Sequence, residues 1–276
     1  MNKKFPIGVF DSGIGGLTIL KELRKQMPEY DFVYLGDNAR APYGTRSYDT
    51  VYRYTLQCVQ WFFVQGCELV VLACNTASAK ALKTIQQHDL PKMGMGKRVL
   101  GVLRPTTETI GDYSQTGHIG ILATNGTVNS DSYVTEIKRF FPDMKVVQHA
   151  CPMWVPLVEN REHLNDGADY FVQKDVEALL KSDPKIDTLL LGCTHYPLLE
   201  QKIRKFVPEH IQIVSQGAIV ADKLQDYLNR HKEMEKHISK KGTCRFFTTD
   251  SSTEFDAHAD IFFDEKVKSE HIELGM

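Results

Sequence analysis

The residues best suited to chemistry are two cysteines, each closing an apolar run and each followed by polar residues: Cys74-Asn75-Thr76-Ala77-Ser78 and Cys193-Thr194-His195-Tyr196-Pro197. A single cysteine in such surroundings is ordinarily a small core residue. At a strand tip facing helix N-termini, however, a thiol can be drawn from about 8.5 toward neutrality, because dipole ends and N–H donors stabilise the thiolate. Two such thiols at equivalent points of a repeated fold, on opposite sides of one cleft, suit a reaction that inverts a carbon centre. One base removes a proton from one face while a conjugate acid delivers a proton to the other. A hydrolase is built less symmetrically, with one nucleophile, one base and an orienting group. His195 suits a partner for the Cys193 thiol or a proton carrier, and Asp11 suits the same work beside Cys74.

Other chemistries fit these residues poorly. Cys193 and His195 lack the C-x2–4-C and H-x3–5-H spacings of zinc sites, and no second cysteine lies near Cys74 in sequence, so no metal is expected. A dinucleotide loop beginning at Gly13 needs glycine where Thr18 stands, and no Walker lysine follows. The turn Asp11-Ser12-Gly13 can still offer free N–H groups to a carboxylate. Cys58, Cys67, Cys151 and Cys244 read as packing residues.

The elements that must hold these groups alternate between short β-branched runs and stretches of helical period, the pattern of parallel strands joined by crossover helices. IGVF at 7–10 reads as a buried strand, and LTILKELRKQM as a helix with Leu17, Leu20, Leu23 and Met27 on one face and Pro28 as its stop. DFVYLGD is a second strand. A helix from Tyr48 to Gln65 is expected to stack Tyr54, Cys58, Trp61 and Gln65 along one side, ahead of strands LVVLA (69–73) and RVLGVL (98–103).

The second half repeats this order. HIGILATNGT, MKVVQHA, DTLLLGCTHYP and IQIVSQG follow one another as PIGVFDSGIG, DFVYLGD, ELVVLACNTAS and RVLGVLRP do, with offsets of 112 residues for the first strand and 119 for the cysteines. The expected fold is α/β: two similar lobes with parallel sheets flanked by helices, related by a pseudo-two-fold duplication. Residues 1–100 with 213–276 form the first lobe and 101–212 the second. The segment after 217, with helical VADKLQDYLNR, a charged connector and strand-like TCRFFTT, is expected to pack back on the first lobe. In a parallel sheet ligands bind beyond the carboxyl ends of the strands, so the turns at 11–13, 37–44, 74–78 and 193–197 are the places to find function.

Composition bounds the partners. The chain has 276 residues, 42% of them hydrophobic and 25% charged, which is enough for one large core or two ordinary ones. The net charge is −2 and no long basic stripe stands out, so nucleic acid is not an expected partner. No apolar run approaches the roughly 20 residues of a membrane span, and Pro6 and Asp11 interrupt any signal-peptide core. Six cysteines are too sparse for a disulfide framework, and a reducing cytoplasm is the expected compartment.

The segments IGVFDSGIGG, YLGDNARAPYG, ACNTAS, ACPMWVPLVE and LGCTHYP, in this order across residues 7–197, resemble the signature segments of bacterial glutamate racemases. The cysteine motifs resemble the wider aspartate/glutamate racemase superfamily as well, but Thr194-His195 matches the glutamate branch, where aspartate racemases tend to carry an acidic residue in place of the histidine. The resemblance implies cofactor-independent interconversion of L- and D-glutamate, a small-molecule substrate, supplying D-glutamate for peptidoglycan. It implies that Cys74 deprotonates the D-isomer and Cys193 the L-isomer, assisted by Asp11 and His195 respectively. It assigns substrate binding to Asp11, Ser12, Tyr43, Gly44, Asn75, Thr76, Thr124, Thr194 and His195, and matches Glu159 to a glutamate beside the cleft. Whether the chain forms a homodimer stays open. Arg104 stands where a neutral polar residue is expected, and SQGAIVA (215–221) lacks an acidic residue after its glycine. Another acidic amino acid as substrate, or a two-lobed binding protein without catalysis, are the competing readings.

Overall fold

The computed structural model of the protein describes residues 4–275. Ten strands form two sheets. The first contains β1 (Ile7–Asp11), β2 (Phe32–Gly36), β3 (Leu69–Leu72), β4 (Arg98–Gly101), β9 (Cys244–Thr248) and β10 (Ser269–His271), in the order β10-β9-β2-β1-β3-β4. The second contains β5 (His118–Ala123), β6 (Lys145–Ala150), β7 (Thr188–Gly192) and β8 (Gln212–Val214), in the order β6-β5-β7-β8. Every pairing within them is parallel. The run β2-β1-β3-β4 and the run β6-β5-β7-β8 share one order, so the repetition visible in sequence is a repetition of topology.

Burial on both faces explains why the strands read as continuous apolar runs rather than alternating ones. On one face of the first sheet Phe10, Val33, Leu35, Val70 and Leu72 pack under the helix Tyr48–Val64. On the other, Ile7, Val9, Phe32, Tyr34, Leu69 and Val71 join a core that continues into the second sheet. Each fully buried aliphatic or aromatic side chain there contributes about 1.5–3 kcal/mol relative to exposure.

The helix Tyr48–Val64 begins at its expected residue, capped by the Ser47 hydroxyl accepting from Thr50 N–H. Its buried face differs from the expected one: Val51, Thr55, Cys58, Val59 and Phe62 point inward, whereas Tyr54 and Trp61 are half-buried and Gln65 is exposed. Trp61 lies edge-on to Phe247 of β9, at 5.0 Å between ring centroids, and the Arg40 guanidinium sits over the Tyr54 ring at 4.2 Å. RVLGVL also ends early as a strand, because Val102 N–H donates to Ser78 Oγ at 3.3 Å and a short helix, Leu103–Thr107, follows.

TCRFFTT forms β9 and pairs with β2. The helix Gln216–Arg230 leaves β8 of the second sheet and packs along the helix Leu17–Gln26 beside the first. In each sheet the chain starts in the middle, at β1 or β5, and places later strands on either side. The crevice beyond the carboxyl ends of β1 and β3, or β5 and β7, is therefore a topological switch point, where an α/β sheet leaves room for a ligand.

Candidate active site

Those crevices meet at one cavity of about 100 Å³. At 10–15 Å³ per water-sized centre, this holds on the order of seven to ten small groups, the size of a small amino acid rather than a nucleotide. Ser12, Tyr43, Gly44, Cys74, Asn75 and Thr76 line it from the turns of the first sheet, and Thr124, Glu159, Cys193, Thr194 and His195 from the second. Asp11 does not reach the lining; it ends β1 directly behind Ser12 and is buried. Cys151, read from sequence as packing, is packed in the core and also lines this cavity. A larger cleft of about 430 Å³ touches Cys193 and Thr194 from the other side but does not reach Cys74. The smaller cavity is the candidate site because both thiols and the polar turns converge on it.

Cys74 precedes the short helix Asn75–Lys80. Its sulfur accepts from Ala77 N–H at 3.4 Å, and its S–H donates to Ser12 Oγ at 3.3 Å. The expectation of a lowered thiol fails here. Burial, reinforced by the neighbouring Asp11 carboxylate, pushes Cys74 up to about 12, outweighing the hydrogen bonds with Ser12 and Ala77. Asp11 is itself pushed up to about 6 by burial, opposed by His195 and by the N–H groups of Gly13 and Gly16. Its Oδ1 accepts from Gly13 N–H at 3.0 Å, while its buried Oδ2 has no hydrogen-bond partner of good geometry among the described residues. An unpaired carboxylate oxygen in that position is costly and is retained at functional sites.

On the opposite side Cys193 Sγ lies 3.9 Å from His195 Nδ1, and His195 Nε2 lies 3.0 Å from Glu159 Oε1. Burial alone favours the neutral imidazole, but hydrogen bonding and charge from Cys193 and Glu159 prevail, and His195 is raised to about 10. The imidazolium is thus the resting form. Glu159 ends the helix Trp154–Glu159, whose packing against the 193–199 turn includes Trp154 and Tyr196 rings 4.8 Å apart.

Gly15 is essential to this geometry. A Cβ there would stand 2.4 Å from the His195 ring and 2.5 Å from Thr194 Oγ1, too close for either to remain in place. Gly15→Ala is expected to swing His195 away from Cys193 and lower turnover about tenfold or more, with far-UV circular dichroism unchanged. Wild-type kinetics in that variant would show that the imidazole position is not critical.

Between the two halves, hydroxyls form a bridge. Thr76 Oγ1 is 3.0 Å from Thr124 Oγ1, which is 3.2 Å from Thr127 Oγ1 and caps the helix Asn125–Asn129. Gly44 allows the 43–45 turn to approach Thr124, whose Cβ would be only 2.9 Å from an added methyl. The buried Tyr43 hydroxyl donates to Asp37, and this bond together with burial and nearby negative charge raises the phenol well above its ordinary value. Tyr43 therefore contributes as a neutral, anchored wall.

Sequence reasoning missed Asp37, Gly15, Tyr133 and Gln216 as parts of this region. Asp37 lay inside a turn already singled out, and Gln216 beside the odd SQGAIVA segment. Tyr133 reads as an ordinary helix-face aromatic, with no local signal of its role. Arg104, the other oddity, is exposed and pairs with Glu108 at 2.7 Å, away from the cavity lining. Among the described residues no group of three or more His, Cys, Asp or Glu side chains is disposed to hold a metal ion, and no helix is long and apolar enough to cross a membrane.

Two thiols on one small, polar-walled cavity, one from each sheet, can exchange protons with a carbon held between them. Comparison with known proteins points the same way. A model of the Asp/Glu/Hydantoin racemase family matches residues 17–224. The glutamate racemase of Sulfurihydrogenibium sp. is 38% identical over 98% of both chains. Glutamate racemase isoform RacE1 from Bacillus anthracis superposes with a TM-score of 0.89 at 34% identity, over 99% of this chain and 98% of that one. The Francisella tularensis glutamate racemase, solved in complex with D-glutamate, gives 0.87 at 28% identity over 98% of each chain. The shared fold, the matched motifs and this full-length similarity make the chain a member of the Asp/Glu racemase family, in its glutamate racemase branch.

Proposed function

We propose that the protein interconverts L- and D-glutamate without a cofactor, by proton transfer between Cys74, Cys193 and the substrate α-carbon. The observation that carries this reading is the convergence of both thiols, one from each repeat, on a single cavity of amino-acid size. Cys193 removes the α-proton of the L-isomer while the Cys74 thiol protonates the opposite face; the D-isomer runs the same path in reverse.

Burial and Asp11 keep Cys74 as a thiol, the form that donates. On the opposite side the imidazolium of His195, 3.9 Å from the Cys193 sulfur, places positive charge beside the reacting centre. A thiol held near 12 is also a stronger base once ionised, which suits a weakly acidic C–H. The α-carbanion forms without an electron sink, so preorganised donors must carry its stabilisation, at about 3 kcal/mol for each well-aimed one. Ser12, Asn75, Thr76, Thr124 and Thr194 side chains and the backbone of the 43–44 turn supply donors for the two carboxylates. Glu159 acts through His195, holding its ring toward Cys193.

Glutamate rather than aspartate is favoured by His195 at the position after Thr194 and by the branch of the family to which the chain belongs. The product suits D-glutamate supply for peptidoglycan. The six unpaired cysteines support a reducing, cytoplasmic setting.

The test is incubation with L-glutamate in deuterated water, followed by proton NMR and chiral separation. The expected products are α-deuterated D- and L-glutamate in equal amounts, with aspartate turned over at least tenfold more slowly. Binding without α-exchange would leave a two-lobed binding protein instead.

A further inference from the structure

We propose that Gln216 and Tyr133 are positioning residues that aim the Asn75 amide into the cavity, giving this site a donor for a substrate carboxylate. The inference deepens the reading above and rests on it for the identity of the ligand. The path begins far from the thiols. Thr106 Oγ1 donates to Val102 O at 3.0 Å, so its oxygen is left to accept from Gln216 Nε2, 2.8 Å away. Gln216 Nε2 also donates to Tyr133 Oη at 2.7 Å. The Tyr133 hydroxyl hydrogen is then directed to its remaining partner, Asn75 Oδ1, at 2.6 Å.

Each bond in this series settles the direction of the next. With Oδ1 engaged, Asn75 turns Nδ2 away from Tyr133. That nitrogen is buried and has no hydrogen-bond partner among the described residues, while Asn75 lines the cavity. A buried N–H pair without an acceptor is costly unless something arrives to accept from it. A carboxylate oxygen is such an acceptor, and the opposite amide orientation would present Oδ1 and repel it.

The series also crosses the molecule. Thr106 lies in the segment joining the two sheets, Gln216 opens the helix that returns toward the first sheet, Tyr133 belongs to the helix Ser132–Phe140 beside the second sheet, and Asn75 follows β3 of the first. All four side chains are buried, so water cannot substitute for a missing link. Tyr133 stays a neutral donor, because burial raises its phenol well above the ordinary value despite the Gln216 bond.

Substitutions along the series test this. Tyr133→Phe keeps the ring and removes the hydroxyl; KM for glutamate should rise about tenfold while kcat changes less than about threefold. Gln216→Glu replaces the donor by an acceptor and claims the tyrosine hydrogen for itself; it should raise KM at least as much, with partial rescue by Gln216→His, which can donate. Tyr133→Phe placed on Asn75→Ala should add nothing further, since its effect runs through the amide. In the unliganded protein the side-chain ¹⁵N amide resonance of Asn75 should shift in Tyr133→Phe, a readout independent of what the substrate is. An unmoved resonance, or KM effects that simply multiply in the double variant, would overturn the relay. Wild-type protein that neither binds nor racemises glutamate would overturn the substrate reading instead, and the resonance would still decide the relay.

Discussion

Cys74→Ala and Cys193→Ala are each expected to lower racemisation by about three orders of magnitude in both directions, since each removes one of the two proton-transfer groups. Both directions must fall together: the isomers have equal energy in water, so kcat/KM for L and for D cannot diverge. The variants should differ in exchange. With Cys74 removed, Cys193 can still lift the α-proton of L-glutamate and return a deuteron to the same face, giving L-specific exchange without inversion. With Cys193 removed, the remaining exchange should be specific for D-glutamate. A residual exchange that ignores configuration, or near-normal racemisation in either variant, would dismantle the two-thiol assignment. Loss of a sulfur from a partly filled cavity is expected to alter stability little, so thermal unfolding separates a chemical defect from a folding one.

Asp11→Asn should move activity and stability in opposite directions. Asp11 is buried and pushed from its ordinary 3.8 to about 6, so the folded protein holds that proton more tightly than the unfolded chain does. The stability associated with the raised value is fully present below about pH 4 and is lost as pH rises through 6. At pH 8 the ionised carboxylate therefore costs about 3 kcal/mol relative to a neutral group. The asparagine keeps an acceptor for Gly13 N–H but brings an amide nitrogen to the place of the unpartnered Oδ2, offsetting about 1 kcal/mol. A net gain of about 2 kcal/mol at pH 8, on the order of 4 °C in Tm, is expected, falling through zero to a small loss near pH 4, where the carboxyl is protonated in the folded protein and the amide offset remains. Turnover should fall about a hundredfold, because the neutral amide neither raises the basicity of Cys74 nor exchanges protons with it. Equal stabilisation at both pH values would show that Asp11 titrates in the folded protein as it does in the unfolded chain.

Both variants probe a cost built into the site. A carboxylate with an unpartnered oxygen, a thiol pushed far up and an imidazolium inside the same buried region are each unfavourable alone. Together they compensate: Asp11 and Glu159 supply negative charge, His195 positive, and the cavity leaves room for a zwitterionic ligand between them. Ligand binding should accordingly stabilise the protein by more than buried area alone would suggest.

Much of this was legible along the chain. Alternating β-branched runs and helical periods are local signals, and they announced the parallel strands, the repeated order and the strand-end turns, because backbone preference and burial period act over a few residues. The two cysteines stood out for a similar reason, as polar breaks at the ends of apolar runs. What the chain could not show was every property that depends on neighbours distant in sequence. The helix Tyr48–Val64 turns its Val51, Cys58 and Phe62 face inward, while half-buried Trp61 meets Phe247 of β9, a strand from the far end of the chain. The direction of the Cys74 shift came from burial and from Asp11, where dipole arguments from the turn alone predicted the reverse.

The amino-acid order by itself determined the α/β class, the duplication and the pair of thiols, since those follow from local periodicity and residue type. Only the tertiary structure decided the charge states and orientations at the site. Desolvation sums over atoms from both sheets, and the bond that aims Asn75 joins residues 58 apart in the chain to a partner a further 83 away, where no local pattern can see them.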